Sequence, residues 1–336
     1  MSVSQVQPEV SVVVLSYNQR YTVARAMDSI LEQQCAFAFE VVVSDDGSSD
    51  GTRELLEKYA RDYPDVVRLL PAEPNRGIVE NYFHALSHCR GKYVADCAGD
   101  DYWLTRHRLQ DMWRRLDGDD SLSLVFTGWT VINRASGCSR DVNTEADGRL
   151  RAPVVPGRTL LTALLGYHNP LPVHLSAALY RVSVLRKALD NYPEMVKNAG
   201  FACEDLPVLA ALLASGDAAY IEGSSLAYTV GHVSATSEED MRRVASFHLA
   251  TLIASIRLAR HYGVPIALLR HGMARKAAFV MAQAFNLHDR TLRRDIDSRL
   301  SEYGVPVSWH YRLLYAITAI NPVWTMAVTL NRMLHR

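Results

Sequence analysis

The chain is short of cysteine. Five occur in 336 residues, at Cys35, Cys89, Cys97, Cys138 and Cys203. None forms a CxxC pair and the number is odd, so neither a disulfide framework nor a cysteine-built zinc site is expected. A charge excess is also lacking. Lys plus Arg and Asp plus Glu number 36 each, which removes the basic surplus of a typical nucleic-acid binder. The opening MSVSQVQPEV has no basic segment leading into an apolar core, so no secretory signal is expected. Glycine is missing from SYNQRYT, which follows the first apolar run. Neither GxxxxGK nor GxGxxG stands there, which argues against a phosphate-loop enzyme.

What is present is apolar material: 49% of residues are hydrophobic, enough for a sizeable core. The length fits about two domains. Strand-like and helix-like runs alternate. VSVVVLS (Val10–Ser16) is β-branched, as a buried parallel strand is. TVARAMDSILEQQ places Val23, Met27, Ile30 and Leu31 at helical spacing. FEVVVS (Phe39–Ser44), VVRLL (Val66–Leu70), KYVADCA and LSLVFTG (Leu122–Gly128) read as further strands. TRELLEKYARDY, IVENYFHALSHC and RLQDMWRRL read as the helices between them. This alternation predicts a doubly wound α/β sheet. Residues 136–157 read as a loop, VHLSAALYR (Val173–Arg181) as a strand, CEDLPVLAALLASG as a helix, and AAYIE and SLAYTV as two short strands.

From about Ser237 the chain turns helical. Ser237 is a candidate cap with Asp240 three residues on. Helical runs follow around Ala274–Leu287 and Asp289–Tyr303. Leu313 to Leu330 carries no charge, is short for a membrane span and contains Asn321-Pro322. It suits a packed helical pair or an interfacial membrane contact; a true span is the remaining reading.

In doubly wound sheets ligands gather at the carboxyl ends of strands. The polar clusters fall there: SYN (Ser16–Asn18), SDDGSSDGT (Ser44–Thr52), PNRG (Pro74–Gly77) and GDDYW after the fourth strand. SDDGSSDGT is either an ordinary βα turn with a helix cap or a carboxylate that accepts hydrogen bonds from a base or ribose. Asp100 and Asp101 repel each other unless something positive or open water relieves them. An Asp pair after a strand can offer oxygens to a hard divalent cation. ACED (Ala202–Asp205) and His232 are two further points, each weak alone.

Taken in order, VSVVVLSYNQ, SDDGSSDGT, NRG, GKYVADCAGDDYW and CED resemble the family 2 glycosyltransferases with the GT-A fold. The likeness covers about the first 235 residues. It implies a Rossmann-like, doubly wound, mostly parallel sheet over 1–235, with a helical extension over 236–336. It implies transfer of a sugar from a UDP- or dTDP-sugar to an acceptor hydroxyl with inversion, in O-antigen or capsule biosynthesis. Ser16, Tyr17, Asn18, Asp45, Asp46, Asn75, Gly77 and Asn81 would border the nucleotide, Asp45 being the first choice for the base. Asp100, Asp101 and His232 would hold Mn²⁺ or Mg²⁺. Asp205, with Glu204 beside it, would supply the general base. Trp103, His174 and Ser176 are candidates for the donor or acceptor pocket. The acceptor would be a lipid-linked sugar or oligosaccharide, and the place of action the cytoplasm or the inner face of the plasma membrane, touched peripherally through the C-terminal helices.

Two positions depart from the family pattern. Many relatives have an acid where this chain has Ala98, and Asp96, two residues further back, is expected to face the other way on the strand. Relatives often read Tyr-Arg-x-His, whereas Tyr228 is followed here by Thr229, Val230 and Gly231 before His232. Ala98 is the best support for the alternative reading, a catalytically silent sugar-nucleotide-binding or scaffolding module.

Overall fold

The computed structural model describes residues 7–142, 148–230 and 241–334. The first elements alternate as expected: β1 (Val10–Ser16), α1 (Val23–Leu31), β2 (Phe39–Asp45), α2 (Thr52–Asp62), β3 (Val67–Leu69), α3 (Ile78–Ser87) and β4 (Tyr93–Ala98). A short β5 (Tyr102–Trp103) leads to α4 (Arg108–Asp117), β6 (Leu122–Asn133), β7 (Ser139–Asp141) and α5 (Gly157–Leu165). Then come β8 (Ala178–Arg181), α6 (Val182–Asn191), α7 (Pro193–Val196), α8 (Asp205–Ser215) and β9 (Asp217–Val230). The rest is helical: α9 (Met241–His261), α10 (Ile266–Leu287), α11 (Arg290–Glu302), α12 (Trp309–Ala319) and α13 (Asn321–Leu334). The Ser237 cap and Asp240 lie outside the described residues.

The described strands form one sheet in the order β3-β2-β1-β4-β8-β6-β9-β5, with β7 on β6. It is mixed. The β3-β2-β1-β4 half and the β6–β9 pair are parallel, while β8 runs antiparallel to both its neighbours. Val10, Val12 and Val14 are fully buried in β1, because helices cover both faces of a central parallel strand. In α1, Val23, Ala26, Met27 and Ile30 recur at i, i+3, i+4 and i+7 and bury one side. Register then fixes where the polar turns emerge. Ser16 pairs with Asp45 and Leu15 with Ala98, so three strands end at one edge.

Three local expectations change. AAYIE and SLAYTV belong to one strand, β9. Its pairing with β6 shifts where Thr127 faces Ile221 and Gly128 faces Ser224, so the Glu222-Gly223 break is a bulge and not a turn. VHLSAALYR is a strand only from Ala178. It opens with a 3-10 turn over Leu175–Ala177, capped by the His174 side chain. The 136–157 stretch is not all loop, since it holds β7 and a 3-10 turn at Gly148–Arg151.

The described residues fall into two compact units. One draws on 1–161, 169–199 and 203–231, the other on 162–168, 200–202 and 232–336. In the second, α9 and α10 form the body, and Phe285, Trp324 and Val328 make a small separate core.

Candidate active site

The site grows from the edge where β1, β2 and β4 end. Asn18 adopts a left-handed conformation (φ 51°), which turns the chain back toward the end of β2. Its N–H donates to Ser48 Oγ and its Oδ1 accepts from Ser49 N–H, both at 2.9 Å. Asp45 accepts from the hydroxyl and the N–H of Ser48, within its own turn. Asp46 reaches further. Its two oxygens accept the N–H groups of Arg76 (2.9 Å) and Gly77 (3.0 Å), while Asn75 donates to its carbonyl at 2.9 Å. Asp46 thus fixes the Pro74–Gly77 loop, whereas both oxygens of Asp45 are held by Ser48 in its own turn. Asn81 spends its amide on Ser44, accepting from the hydroxyl at 2.6 Å and donating to the carbonyl at 3.2 Å. It braces the end of β2 from within. Ser16 is buried and Tyr17 exposed.

At the end of β4, Gly99 passes so close to β1 that a Cβ would lie 2.3 Å from Gln19 Oε1 and 3.2 Å from Leu15 O. Only glycine permits that approach without a shift. The turn delivers Asp100 half-buried and Asp101 buried. Asp101 Oδ1 accepts the Thr229 N–H at 2.8 Å. Burial first, and then the Asp100 charge, push the Asp101 carboxyl far above the ordinary range, while the Thr229 bond opposes. Trp103 does not line the cleft. It is 4% exposed, in the core, with its ring under the Arg108 guanidinium at 4.8 Å.

Asp205 is the first residue of α8, where a helix N-terminus favours a carboxylate. Burial raises its pKa and the nearby His174 ring opposes the rise. Glu204 is more deeply buried. Burial and then the Asp205 charge push it far up. His174 Nδ1 accepts the Ser176 N–H at 3.2 Å, which leaves the proton on Nε2 in the neutral ring. Burial holds His174 below the usual imidazole value. The ring packs between Trp129 and Tyr228. Ser176 is buried, and its carbonyl accepts from Arg108 at 2.7 Å.

Asp96 corrects an expectation. It shares the strand face of Ala98, because side chains alternate with period two, and it is buried beneath the site. Burial and then the Asp205 charge raise it far above the usual range, with the Tyr180 hydroxyl opposing. The fold therefore places Asp205 within electrostatic reach of Asp96, Asp101 and Glu204, with Asp100 acting on Asp101. Arg108, fully buried and bonded to Ser225 Oγ and to the carbonyls of Ser176 and Ala178, acts on Asp96 and opposes its rise. Sequence reasoning missed Arg108, Tyr228 and Trp129; the arginine's one signal was its place in the helix just after GDDYW. A cavity of about 90 Å³ opens beside Asp100, lined also by Arg25, Tyr102, Arg134 and Thr229. A larger hollow of about 320 Å³, between Phe83 and Leu189, contains no carboxylate. His232 lies outside the described residues. Among those residues no group of three or more His, Cys, Asp and Glu side chains converges on a metal position.

The sequence pattern of glycosyl transferase family 2 matches residues 11–188, more than half of the chain. The chain belongs to this family. It is 34% identical over 126 residues to the putative glycosyltransferase EpsE of Bacillus subtilis, covering 38% of this chain and 45% of that one. It is 31% identical over 129 residues to the putative teichuronic acid biosynthesis glycosyltransferase TuaG of the same organism, covering 38% and 48%. The match thus spans less than half of either relative. Among solved structures, S. aureus TarS 1-349 in complex with UDP-GlcNAc superposes with a TM-score of 0.55 at 18% identity, over 92% of this chain and 90% of that one. The mannosyltransferase PcManGT of Pyrobaculum calidifontis, in complex with GDP-Man and Mn²⁺, gives 0.53 at 18% identity, over 97% and 88%. The glycosyltransferase fold expected from the motifs, GT-A with C-terminal helices, is the fold of this chain.

Proposed function

We propose that this glycosyltransferase moves a sugar from a UDP- or dTDP-sugar to an acceptor hydroxyl with inversion, in assembly of a cell-surface polysaccharide such as O-antigen or capsule. The observation that carries the reading is that the turn after β4 and the start of α8 bring Asp101 and Asp205 within electrostatic reach of each other, with Asp100 beside Asp101. The nucleotide-sugars named with TarS and PcManGT support the donor class. The names of EpsE and TuaG support the polysaccharide role. The acceptor is then a lipid-linked sugar or oligosaccharide, met at the cytoplasmic face of the membrane.

The residues fit a divalent cation. Two adjacent carboxylates, one held buried against a like charge, offer hard oxygens, and Mg²⁺ or Mn²⁺ commonly takes one or two carboxylates plus substrate phosphates. Asp100 and Asp101 would hold it, with His232 a further candidate, and it would act as a Lewis acid toward the leaving diphosphate. Asp45 and the Asn18 and Asn75 loops bind the nucleotide. Asp205, less buried than Glu204, takes the proton of the acceptor hydroxyl, a step that contributes roughly 10²–10⁴-fold. One base and no protein nucleophile give a single displacement, hence inversion. Ala98 favours a second reading, a silent nucleotide-sugar-binding module. Donor hydrolysis and binding separate them, measured over UDP-, dTDP- and GDP-sugars with Mn²⁺, Mg²⁺ or EDTA. Metal-dependent turnover of one donor, lost in Asp100→Ala, supports the enzyme. Binding without turnover, unchanged in Asp205→Asn, supports the module.

A further inference from the structure

The last two helices leave an apolar surface on the outside. Leu314 and Ile317 of α12 and Trp324 and Val328 of α13 pack around Phe285. Three polar anchors fix the pair to its own helical unit. Tyr311 OH donates to Asp297 at 2.8 Å, and Trp324 Nε1 to the Phe285 carbonyl at 2.9 Å. Buried Arg293 donates to Thr318 Oγ1 at 2.7 Å and to the Tyr315 carbonyl at 3.1 Å. The pair is therefore presented in a defined pose.

The outer faces of these anchored helices also carry large apolar side chains. Trp309 and Leu313 on α12, Ile320 just after it, and Met326 and Leu330 on α13 are each at least 50% exposed, and Val323 is 38% exposed. Positions 323, 326 and 330 stand at i, i+3 and i+7, one stripe of a helix. Exposed large apolar side chains gathered on two successive helices point to an interaction surface. Its charge surroundings choose the partner. From residue 241 to 330 there are 12 Arg and Lys against 4 Asp and Glu, and no acid follows Glu302. Exposed Arg312 stands between Trp309 and Leu313, and Arg290 and Arg294 are exposed on α11. Among the described residues no single helix is long and apolar enough to cross a membrane, and α12 and α13 meet at 117°.

We propose that the outer faces of α12 and α13 dock on an anionic lipid bilayer, lying in its headgroup region with Trp309 as an interfacial anchor. This deepens the proposed function by naming the surface that meets the membrane, and it rests on that reading only for the lipid-linked acceptor.

Vesicle flotation of the full chain tests it, with phosphatidylcholine alone and with phosphatidylglycerol added. The expected result is flotation with the anionic vesicles, weakened by high salt. The triple variant Trp309→Ser, Leu313→Ser, Met326→Ser should reduce it at least about tenfold, with an unchanged circular dichroism spectrum. Absence of flotation overturns the proposal, as does equal flotation of the triple variant. A dimer that the same substitutions dissociate in sedimentation velocity overturns it too, since the surface would then join two copies. No sugar donor is present in the flotation, so failure of the glycosyl-transfer reading leaves this result standing.

Discussion

The Thr229 N–H donates to Asp101 Oδ1 at 2.8 Å, joining residues 128 positions apart. This bond ties the turn after β4 to the end of β9 and fixes a carboxylate at the cleft. Asp101→Asn keeps the acceptor oxygen and loses only the charge. Its melting temperature at neutral pH should be at or above that of the wild type, because a buried carboxyl held far above its ordinary range is a burden there, while metal-dependent donor turnover falls. Asp101→Leu also strips the Thr229 N–H of its partner, which costs about 1–3 kcal/mol in a melt. Full turnover by the Asn variant would refute the assigned role.

Much of this edge was legible in the sequence because its causes are local. Val10 to Ser16 reads as a buried strand, and Ser, Asp and Gly mark the turns that follow. Asp205 was legible as a helix start. What stayed hidden depends on pairing between distant segments. The direction of β8 is set by its neighbours β4 and β6, and nothing in AALYR encodes it. Arg108 looked like any surface arginine of an amphipathic helix, since its partners, the Ser176 and Ala178 carbonyls and Ser225 Oγ, come from later segments. The Glu222-Gly223 bulge resembled a turn for the same reason.

In the helical unit, Lys276 donates to His248 Nδ1 at 2.8 Å. Burial pulls the lysine down to about 8 and, with the Lys276 charge adding, the histidine down to about 4. A lysine whose folded pKa lies below its unfolded value costs stability at neutral pH, and the cost fades as pH rises from about 8 toward about 10.4. Lys276→Met should therefore stabilise the chain by up to about 2 kcal/mol at pH 7. The gain should shrink by pH 10. Denaturant melts at the two pH values measure this, and a destabilised variant at pH 7 would refute it.

Asp96 shows the opposite sign. Its folded pKa lies above the unfolded value. Its contribution to stability is complete below about 3.9 and is lost as pH rises through the folded value. At neutral pH the buried acid is a burden. Asp96→Asn should raise stability at pH 7.5 by about 1–3 kcal/mol. The two proteins should converge near pH 4. A variant less stable than wild type at pH 7.5 would mean that the charge itself is needed, as it would be if Asp96 replaced the acid missing at Ala98.

Asp205 connects pH to rate. A general base works only when ionised, and burial raises this carboxyl above its ordinary value. The turnover rate should rise with pH along a limb displaced upward from about 3.9. Asp205→Asn should abolish that limb and lower the rate about 10²–10⁴-fold. Nucleotide affinity should hold, because Asp45 and the loops proposed to bind the nucleotide are untouched. Glu204→Gln is the discriminating control. Glu204 is buried and its charge is suppressed by burial and by Asp205. Its variant should keep the limb and most of the rate. A pH–rate profile of the three proteins decides the matter: loss of the limb in Glu204→Gln alone would move the proton-accepting role to Glu204.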